Sequence, residues 1–406
     1  MKRILIFTAG FGEGHNTAAR NIRDAVEHIA LDRTKVEVEV LDLFDTCYGK
    51  LNDWVRKAYI TAINRTPRFW GKIYNVIDGT QFVESNMVML AKMKRAMTEV
   101  LAEREPDAVV STYPIYNYII DAIYADGQSR SFSQITVVTD SITVNSVWYR
   151  SASDYFLVAN EDTAKVLRNA DVPQEQIRNF GFPVTFRFAE MPDNRYGNGH
   201  FGARRILYLI NSGKKEAPAL VRRLCKRDDI QLTITVGRDR TLRKEIESEI
   251  KTPAHPVEIL GWSNRMPELL MSHHLVITKA GGATVQEAIA ARTPVIISQV
   301  VPGQEEGNAR LIVDNDCGCL APNPEAILEA LDSAFVQGEK RLKTWVANIG
   351  RLSKPDASLQ IARFILELTS SESGPSEKIQ HLLPAESEGK DVRSILHSDS
   401  IYSQGN

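Results

Sequence analysis

The sequence predicts an α/β protein of two doubly wound, Rossmann-like domains facing each other across an interdomain cleft. Three observations predict it. Short β-branched runs alternate with amphipathic stretches through the first half of the 406 residues, a polar and glycine-rich break follows, and the same alternation then restarts. Such alternation reads as βαβ units, hence a mostly parallel sheet covered by helices. The length exceeds one ordinary domain, so two are expected.

In the first domain, residues 1–190, strands are expected at Ile4 to Thr8, Val36 to Leu41, Ala108 to Thr112, Ile135 to Thr139 and Tyr155 to Ala159, with an amphipathic helix at Thr17 to Ile29. The opening Met1-Lys-Arg-Ile-Leu-Ile-Phe-Thr8 carries two positive residues and a short apolar run, but polar loop residues follow at once. It reads as a first strand and not as a signal peptide. The break, MPDNRYGNGHFG from Met191 to Gly202, has the composition of a linker, placed at 191–203. The second domain, 204–350, repeats the pattern with strands at Ile206 to Ile210, Leu232 to Val236, Val257 to Leu260, Leu275 to Thr278 and Val295 to Ser298. A closing helical segment, 351–368, is amphipathic from Ala357 to Leu368 and is placed to pack back on the first domain. From 369 to 406 the chain is dense in Ser, Glu, Gly and Lys with few aromatics, a composition expected to be disordered.

Composition narrows the function. A net charge of -2 gives no general attraction to nucleic acid, so no nucleic-acid partner is expected. Cys47, Cys225, Cys317 and Cys319 form no C-x-x-C pair, which points to a reducing, cytoplasmic setting without a disulfide framework or zinc site. No stretch of about 18 consecutive apolar residues occurs to span a bilayer. Ligands of open α/β sheets bind beyond the carboxyl ends of the strands, so the loops there carry the chemistry.

The loop FTAGFGEGHNTAA reads Gly10-x-Gly12-x-Gly14-His15, and a dinucleotide fingerprint would need its third glycine where His15 stands. Asp42 ends the second strand, where a ribose-binding acid would sit. The loop is thus an imperfect cofactor fingerprint, a plain strand-to-helix turn, or something else. Near the first turn of a helix the dipole disfavours an imidazolium, so His15 is expected to stay neutral and able to accept a proton, unless it merely caps or packs.

A second stretch is more specific. In LVITKAGGATVQEA a strand ends at Lys279, two glycines let the backbone approach a ligand, and a helix is expected to begin near Thr284. Free N–H groups and the dipole make such a helix start an anion site suited to a diphosphate. Thr284 is placed to cap that helix or to donate to the same oxygens, and Glu287, one turn on, to accept from two ribose hydroxyls. After the next strand, VPGQEEGN (301–308) crowds amides and carboxylates. Alone it would be a solvated acidic turn, but following the glycine loop it suits sugar hydroxyls, which both donate and accept.

These stretches, with GEGHNTAA near the start, resemble the diacylglycerol glycosyltransferases: the plant-type monogalactosyldiacylglycerol synthases and the bacterial processive diacylglycerol glucosyltransferases, relatives of the peptidoglycan N-acetylglucosaminyltransferase. The resemblance spans about residues 1–368. It implies a GT-B fold, a UDP-sugar donor (UDP-glucose or UDP-galactose) in the C-terminal domain, and inverting transfer to a diacylglycerol-type hydroxyl; no cofactor is expected, and the use of a metal is left open. Residue by residue it implies a diphosphate loop of Gly281, Gly282, Ala283 and Thr284, and a ribose-binding Glu287. The donor sugar falls to Gln304, Glu305 and Asn308, the neighbourhood of the donor to Gly237-Arg238, and uracil to the backbone at Gly261-Trp262. His15 becomes the first candidate base, on an acceptor loop where Gly12 and Gly14 leave room, and Asp140 the second.

Two departures stand out. The first loop of the second domain, Asn211-Ser212-Gly213-Lys-Lys, is poorer in glycine than the family's, although Ser212 and Gly213 hold the donor-facing positions. In VTDSITVNSVWY, Asp140 and Trp148 are kept while Asn145, which cannot titrate, occupies the position of a family histidine. Between the first strands, 49–82 interleaves basic residues with aromatics, Trp54, Arg65, Arg68 and Trp70 among them. That mixture suits an element lying in the interface of an anionic membrane, or else an ordinary amphipathic helix pair. A peripheral membrane location is therefore expected. A hydrolysing UDP-N-acetylglucosamine 2-epimerase, a UDP-sugar-sensing binding protein and an NAD-dependent oxidoreductase are the alternative expectations.

Overall fold

The computed structural model describes residues 1–11, 13–30, 35–49, 90–125, 127, 129–142, 144–193, 204–302 and 305–370. Among these, β1 (Lys2–Phe7), β2 (Val36–Leu41), β3 (Ala108–Ser111), β4 (Ser133–Val137), β5 (Tyr155–Leu157) and β6 (Ile177–Arg178) form one sheet in the order β2-β1-β3-β4-β5-β6. β7 (Arg204–Leu209), β8 (Ile230–Thr235), β9 (Glu258–Leu260), β10 (Leu275–Lys279), β11 (Val295–Gln299) and β12 (Gly318–Leu320) form the other, ordered β12-β11-β10-β7-β8-β9. Every pairing is parallel. Continuous apolar strands follow from helices on both faces: Ile4, Leu5, Ile6 and Phe7 of β1 are all buried.

The helices are α1 (Glu13–Ile29), α2 (Ala91–Arg104), α3 (Ile115–Ile123), α4 (Glu161–Asn169), α5 (Arg187–Glu190), α6 (Ala217–Leu224), α7 (Arg240–Glu249), α8 (Met266–Ser272), α9 (Gly282–Ala290), α10 (Glu306–Val313), α11 (Pro324–Leu352) and α12 (Ala357–Ser370). α1 shows why such a segment is helical. Ala18, Ile22, Ala25 and Val26 recur at three- and four-residue spacing and bury one face. That face meets α12, whose Ile361, Ala362 and Ile365 join the core of the first sheet. The chain therefore crosses back from the second sheet to the first. Gly181, at φ +104°, permits the crossing, because a Cβ there would lie 2.9 Å from the Cβ of Lys354.

Two edge strands, β6 and β12, were not among the expected ones, and several boundaries moved. α1 begins at Glu13, ahead of Thr17, and α12 runs to Ser370, past 368, with Thr369 buried. Most of the linker (194–203) and the tail from 371 lie outside the described residues, as do Gly12, Gln304, Trp54, Arg65, Arg68 and Trp70.

Each sheet reverses its strand order once, between β1 and β3 and between β7 and β10. A crevice opens beyond the carboxyl ends at such a reversal, because the flanking connections leave on opposite faces. The two halves also meet directly. α1 packs against α9, Ala18 and Val285 belong to one core cluster, and Gln286 Nε2 of α9 donates to Ser141 Oγ after β4 at 3.0 Å.

Candidate active site

The first crevice is built from the loop after β1. Asp42 organises it: its Oδ2 accepts from Gly10 N at 2.9 Å, and its Oδ1 from Phe44 N at 3.0 Å and Asp45 N at 3.2 Å. The acid that a cofactor fingerprint would assign to ribose is thus spent on holding the glycine loop. Gly14 falls in the first turn of α1 and faces open space, since a Cβ there would have no neighbour within 4 Å.

His15, beside it, has Nδ1 2.9 Å from the Thr112 carbonyl oxygen and 2.8 Å from Thr139 Oγ1. A carbonyl only accepts, so Nδ1 carries the proton and Nε2 holds the free lone pair. Nε2 has no hydrogen-bond partner among the described residues. Desolvation lowers the pKa to about 4, against the opposing pull of the Thr112 carbonyl. The ring is therefore neutral at ordinary pH, and burial is the main cause.

The second candidate base is a neighbour. Thr139 ends the run after β4, and Asp140 Oδ2 accepts from Trp148 Nε1 at 2.7 Å, while the Trp148 ring lies 6.0 Å from that of His15. Asn145 takes no part in proton chemistry. Its Oδ1 accepts from Val147 N at 3.0 Å and caps the 3-10 turn Ser146–Trp148 that presents the indole to Asp140. The loop is strained at Ile142, a β-branched residue at φ 61°, whose N–H is pinned to Thr163 Oγ1 at 3.1 Å.

Opposite stands the start of α9. The helix begins at Gly282, with Gly281 extended at the cap and Val285 N closing the first bond on Gly281 O. The N–H groups of Gly282, Ala283 and Thr284 precede that bond and point out of the helix end. This corrects the expected start near Thr284: the threonine is the third helical residue, not the cap. Its side chain still helps to line a cavity of about 690 Å³ with Asn211, Lys214, Gly237, Arg238 and Met266. The Arg238 guanidinium lies 5.4 Å from the centre of the Trp262 ring, which is 67 % exposed. Gly261 comes close to Gly237, since a Cβ on it would be 3.4 Å from that residue's oxygen. Ser212 Oγ is buried without a partner, next to Gly213 at φ +61°.

Glu287 keeps part of its surface open, yet its carboxyl is desolvated enough to raise the pKa to about 7. It has no hydrogen-bond partner among the described residues. Asn308 and Glu305 are buried behind the loop. Asn308 Nδ2 donates to Ala280 O at 3.2 Å and would lie 3.5 Å from a Cβ on Gly282, while its Oδ1 is unpartnered. Glu305 is engaged on both oxygens, by Val301 N at 3.0 Å and by the Lys279 ammonium. Lys279 escaped the sequence reading. Its one signal was a cation placed just before the two glycines.

Comparison with known proteins follows the same division. Residues 15–184 match the monogalactosyldiacylglycerol (MGDG) synthase family, and residues 201–349 the glycosyltransferase family 28 C-terminal domain. The processive diacylglycerol beta-glucosyltransferase of Bacillus licheniformis is 24% identical over 372 residues, covering 90% of this chain and 95% of that protein. Monogalactosyldiacylglycerol synthase 3 of Arabidopsis thaliana is 26% identical over 392 residues, covering 92% and 82%. Among solved structures, MurG of Acinetobacter baumannii superposes with a TM-score of 0.60 at 12% identity, over 90% of this chain and all of that one. The UDP-GlcNAc 2-epimerase of Neisseria meningitidis bound to UDP-GlcNAc gives 0.55 at 14%, with the same coverage. At such identities the likeness is one of fold, and the fold is GT-B.

Proposed function

This chain belongs to the diacylglycerol glycosyltransferase family, and from that premise we propose that it moves a hexose from a UDP-sugar to the hydroxyl of a diacylglycerol, by a single inverting displacement at the membrane surface. The observation that carries the proposal is the contact between α1 and α9. It supports the reading because Ala18 and Val285 share one core cluster, three residues beyond His15 and three beyond the start of α9 respectively.

On the donor side the diphosphate binds the N–H groups of Gly282, Ala283 and Thr284. Glu287 accepts from the ribose hydroxyls, and uracil lies at Gly261-Trp262, where Arg238 covers the indole. The hexose hydroxyls are assigned to Glu305 and Asn308, together with Gln304 of the same sequence motif, which lies outside the described residues. The C1–O bond to the β-phosphate breaks as the acceptor oxygen attacks, and the helix end, equivalent to about half a positive charge, meets the charge that develops. On the acceptor side His15 Nε2 takes the hydroxyl proton. Bound diphosphate is negative, and it raises the pKa that burial lowers, so the base strengthens once the donor is in place. Asp140, committed to the Trp148 indole, keeps the wall that positions His15 in place. Base and leaving group act from opposite faces of C1, so an α-linked donor gives a β-linked product.

Among the described residues no helix is long and apolar enough to cross a membrane. The basic, aromatic stretch 49–82 is proposed as the interfacial element that delivers the lipid. The test is transfer of label from UDP-glucose or UDP-galactose to diacylglycerol in vesicles containing anionic lipid, with the anomeric configuration of the product read by NMR. A β-glycolipid is the expected product. Free or epimerised sugar without glycolipid would refute the proposal.

A further inference from the structure

Lys279 forms a charge pair with Glu305, and the reading above gives the lysine no chemical task. Lys279 is the last residue of β10, and the ladder to β11 slips between Thr278 and Lys279. Irregularities of this kind re-aim a side chain beside a site. Here the ammonium reaches Glu305 Oε1. The carboxylate is 8 % exposed and also held by Val301 N at 3.0 Å, whereas the lysine side chain keeps 28 % of its surface open. Its distance from the diphosphate loop follows from Gly281. A Cβ on that residue would lie 3.5 Å from Lys279 Cε and 3.9 Å from both Nζ and Glu305 Oε1. Glycine thus leaves vacant the space between the ammonium and the helix start.

Charge supplies the reason for such an arrangement. Departing UDP carries one more negative charge than the bound UDP-sugar, and a helix start offsets only about half of one. We propose that Lys279 is a leaving-group residue: in the occupied site its ammonium exchanges Glu305 for the β-phosphate oxygens and neutralises the departing UDP. This rests on the reading of the chain as a UDP-sugar transferase. In the step, the acceptor oxygen bonds to C1 and the C1–O bond to the β-phosphate breaks. The electron pair stays on that phosphate oxygen, where Lys279 and the α9 N–H groups meet it, and the hydroxyl proton passes to His15 Nε2. Glu305, released on one oxygen, becomes an acceptor for a hexose hydroxyl. The ion pair thereby couples arrival of the diphosphate to recognition of the sugar.

The experiment is calorimetry of UDP and UMP on the wild type, Lys279→Ala, Lys279→Arg and Glu305→Gln, with turnover measured alongside. Loss of a charge-assisted contact to the β-phosphate should weaken UDP binding in Lys279→Ala by about 10- to 100-fold and leave UMP binding unchanged. The turnover number should fall by about 100-fold, and Lys279→Arg should restore part of both. Glu305→Gln, which frees the ammonium, should retain UDP affinity. If Lys279→Ala weakens UDP and UMP equally, or if Glu305→Gln copies its UDP defect, the pair is a strut and the proposal is overturned. A wild type that binds no UDP overturns the UDP-sugar reading itself, and the proposal with it.

Discussion

If Glu287 accepts from the donor ribose as proposed, donor binding should depend on pH within the physiological range, with a sign that can be worked out. Desolvation raises its pKa from 4.5 to about 7, so in the empty cleft the carboxyl is about half protonated at neutrality. Ribose hydroxyls donate to the ionised form, which means that the donor binds the carboxylate preferentially and releases a proton. Affinity should therefore rise with pH and level off above the raised pKa. With a pKa of about 7 the ionised fraction is about 0.9 at pH 8 and about 0.1 at pH 6, a change of about tenfold in the dissociation constant. His15, lowered to about 4 in the empty cleft, adds slope only where bound diphosphate raises it into this interval, and then with the opposite sign. The assay is calorimetric titration with UDP-glucose or UDP-galactose, whose diphosphate does not titrate in this interval. Two buffers of different ionisation enthalpy count the protons released. In Glu287→Gln the slope and the proton release should both vanish while the absolute affinity falls. A wild-type affinity that is flat between pH 6 and 8, or an unchanged slope in the glutamine variant, would refute this.

Other consequences are equally direct. In kcat/KM for the donor the acid limb should sit near 7 and come from Glu287, whereas the turnover number at saturating donor should carry an acid limb from His15 that lies above the empty-cleft value of about 4, because bound diphosphate favours the imidazolium, and that limb should vanish in His15→Ala. Gln286→Ala leaves the buried Ser141 hydroxyl unpaired and should cost about 1–3 kcal/mol, read by urea unfolding; a change below about 0.3 kcal/mol would count against a tight contact between the halves. Gly318→Ala drives a Cβ to 1.8 Å from the Val295 carbonyl oxygen and should destabilise by at least about 2 kcal/mol. An unchanged unfolding midpoint would contradict the close approach of β12 to β11.

Much of the layout was legible because both sheets are buried on two faces, which forces continuous β-branched strands such as β1 and β10 to stand out from the helices between them. The exceptions lie at the edges. β6 is two residues long, and β12 begins with Gly318, a residue that ordinarily speaks against a strand but here is required by the approach to Val295. At the site, the strand–glycine–helix arrangement of the proposed diphosphate loop could be read because two consecutive glycines between a strand and a helix have few other uses. The helix start was misjudged by two residues because Thr284 looks like a cap, although Gly281 adopts the cap conformation without a side chain. Asp42 was ambiguous for a related reason. A carboxylate at a strand end can hold ribose or its own loop, and only the bond to Gly10 N decides. Lys279 was silent because its meaning comes from a ladder slip and from Glu305, 26 residues away along the chain.

The central claim is that one cleft joins a lipid hydroxyl, deprotonated by His15, to the anomeric carbon of a UDP-hexose. Its most direct test is a single-turnover reaction in which radiolabelled UDP-hexose, bound to enzyme, is mixed with diacylglycerol vesicles, comparing the wild type with His15→Ala. The wild type should place the label on lipid. The variant, with donor affinity intact, should do so about 100- to 10,000-fold more slowly. Label appearing as free sugar in the wild type, or an equal rate of lipid labelling in the variant, would contradict the account.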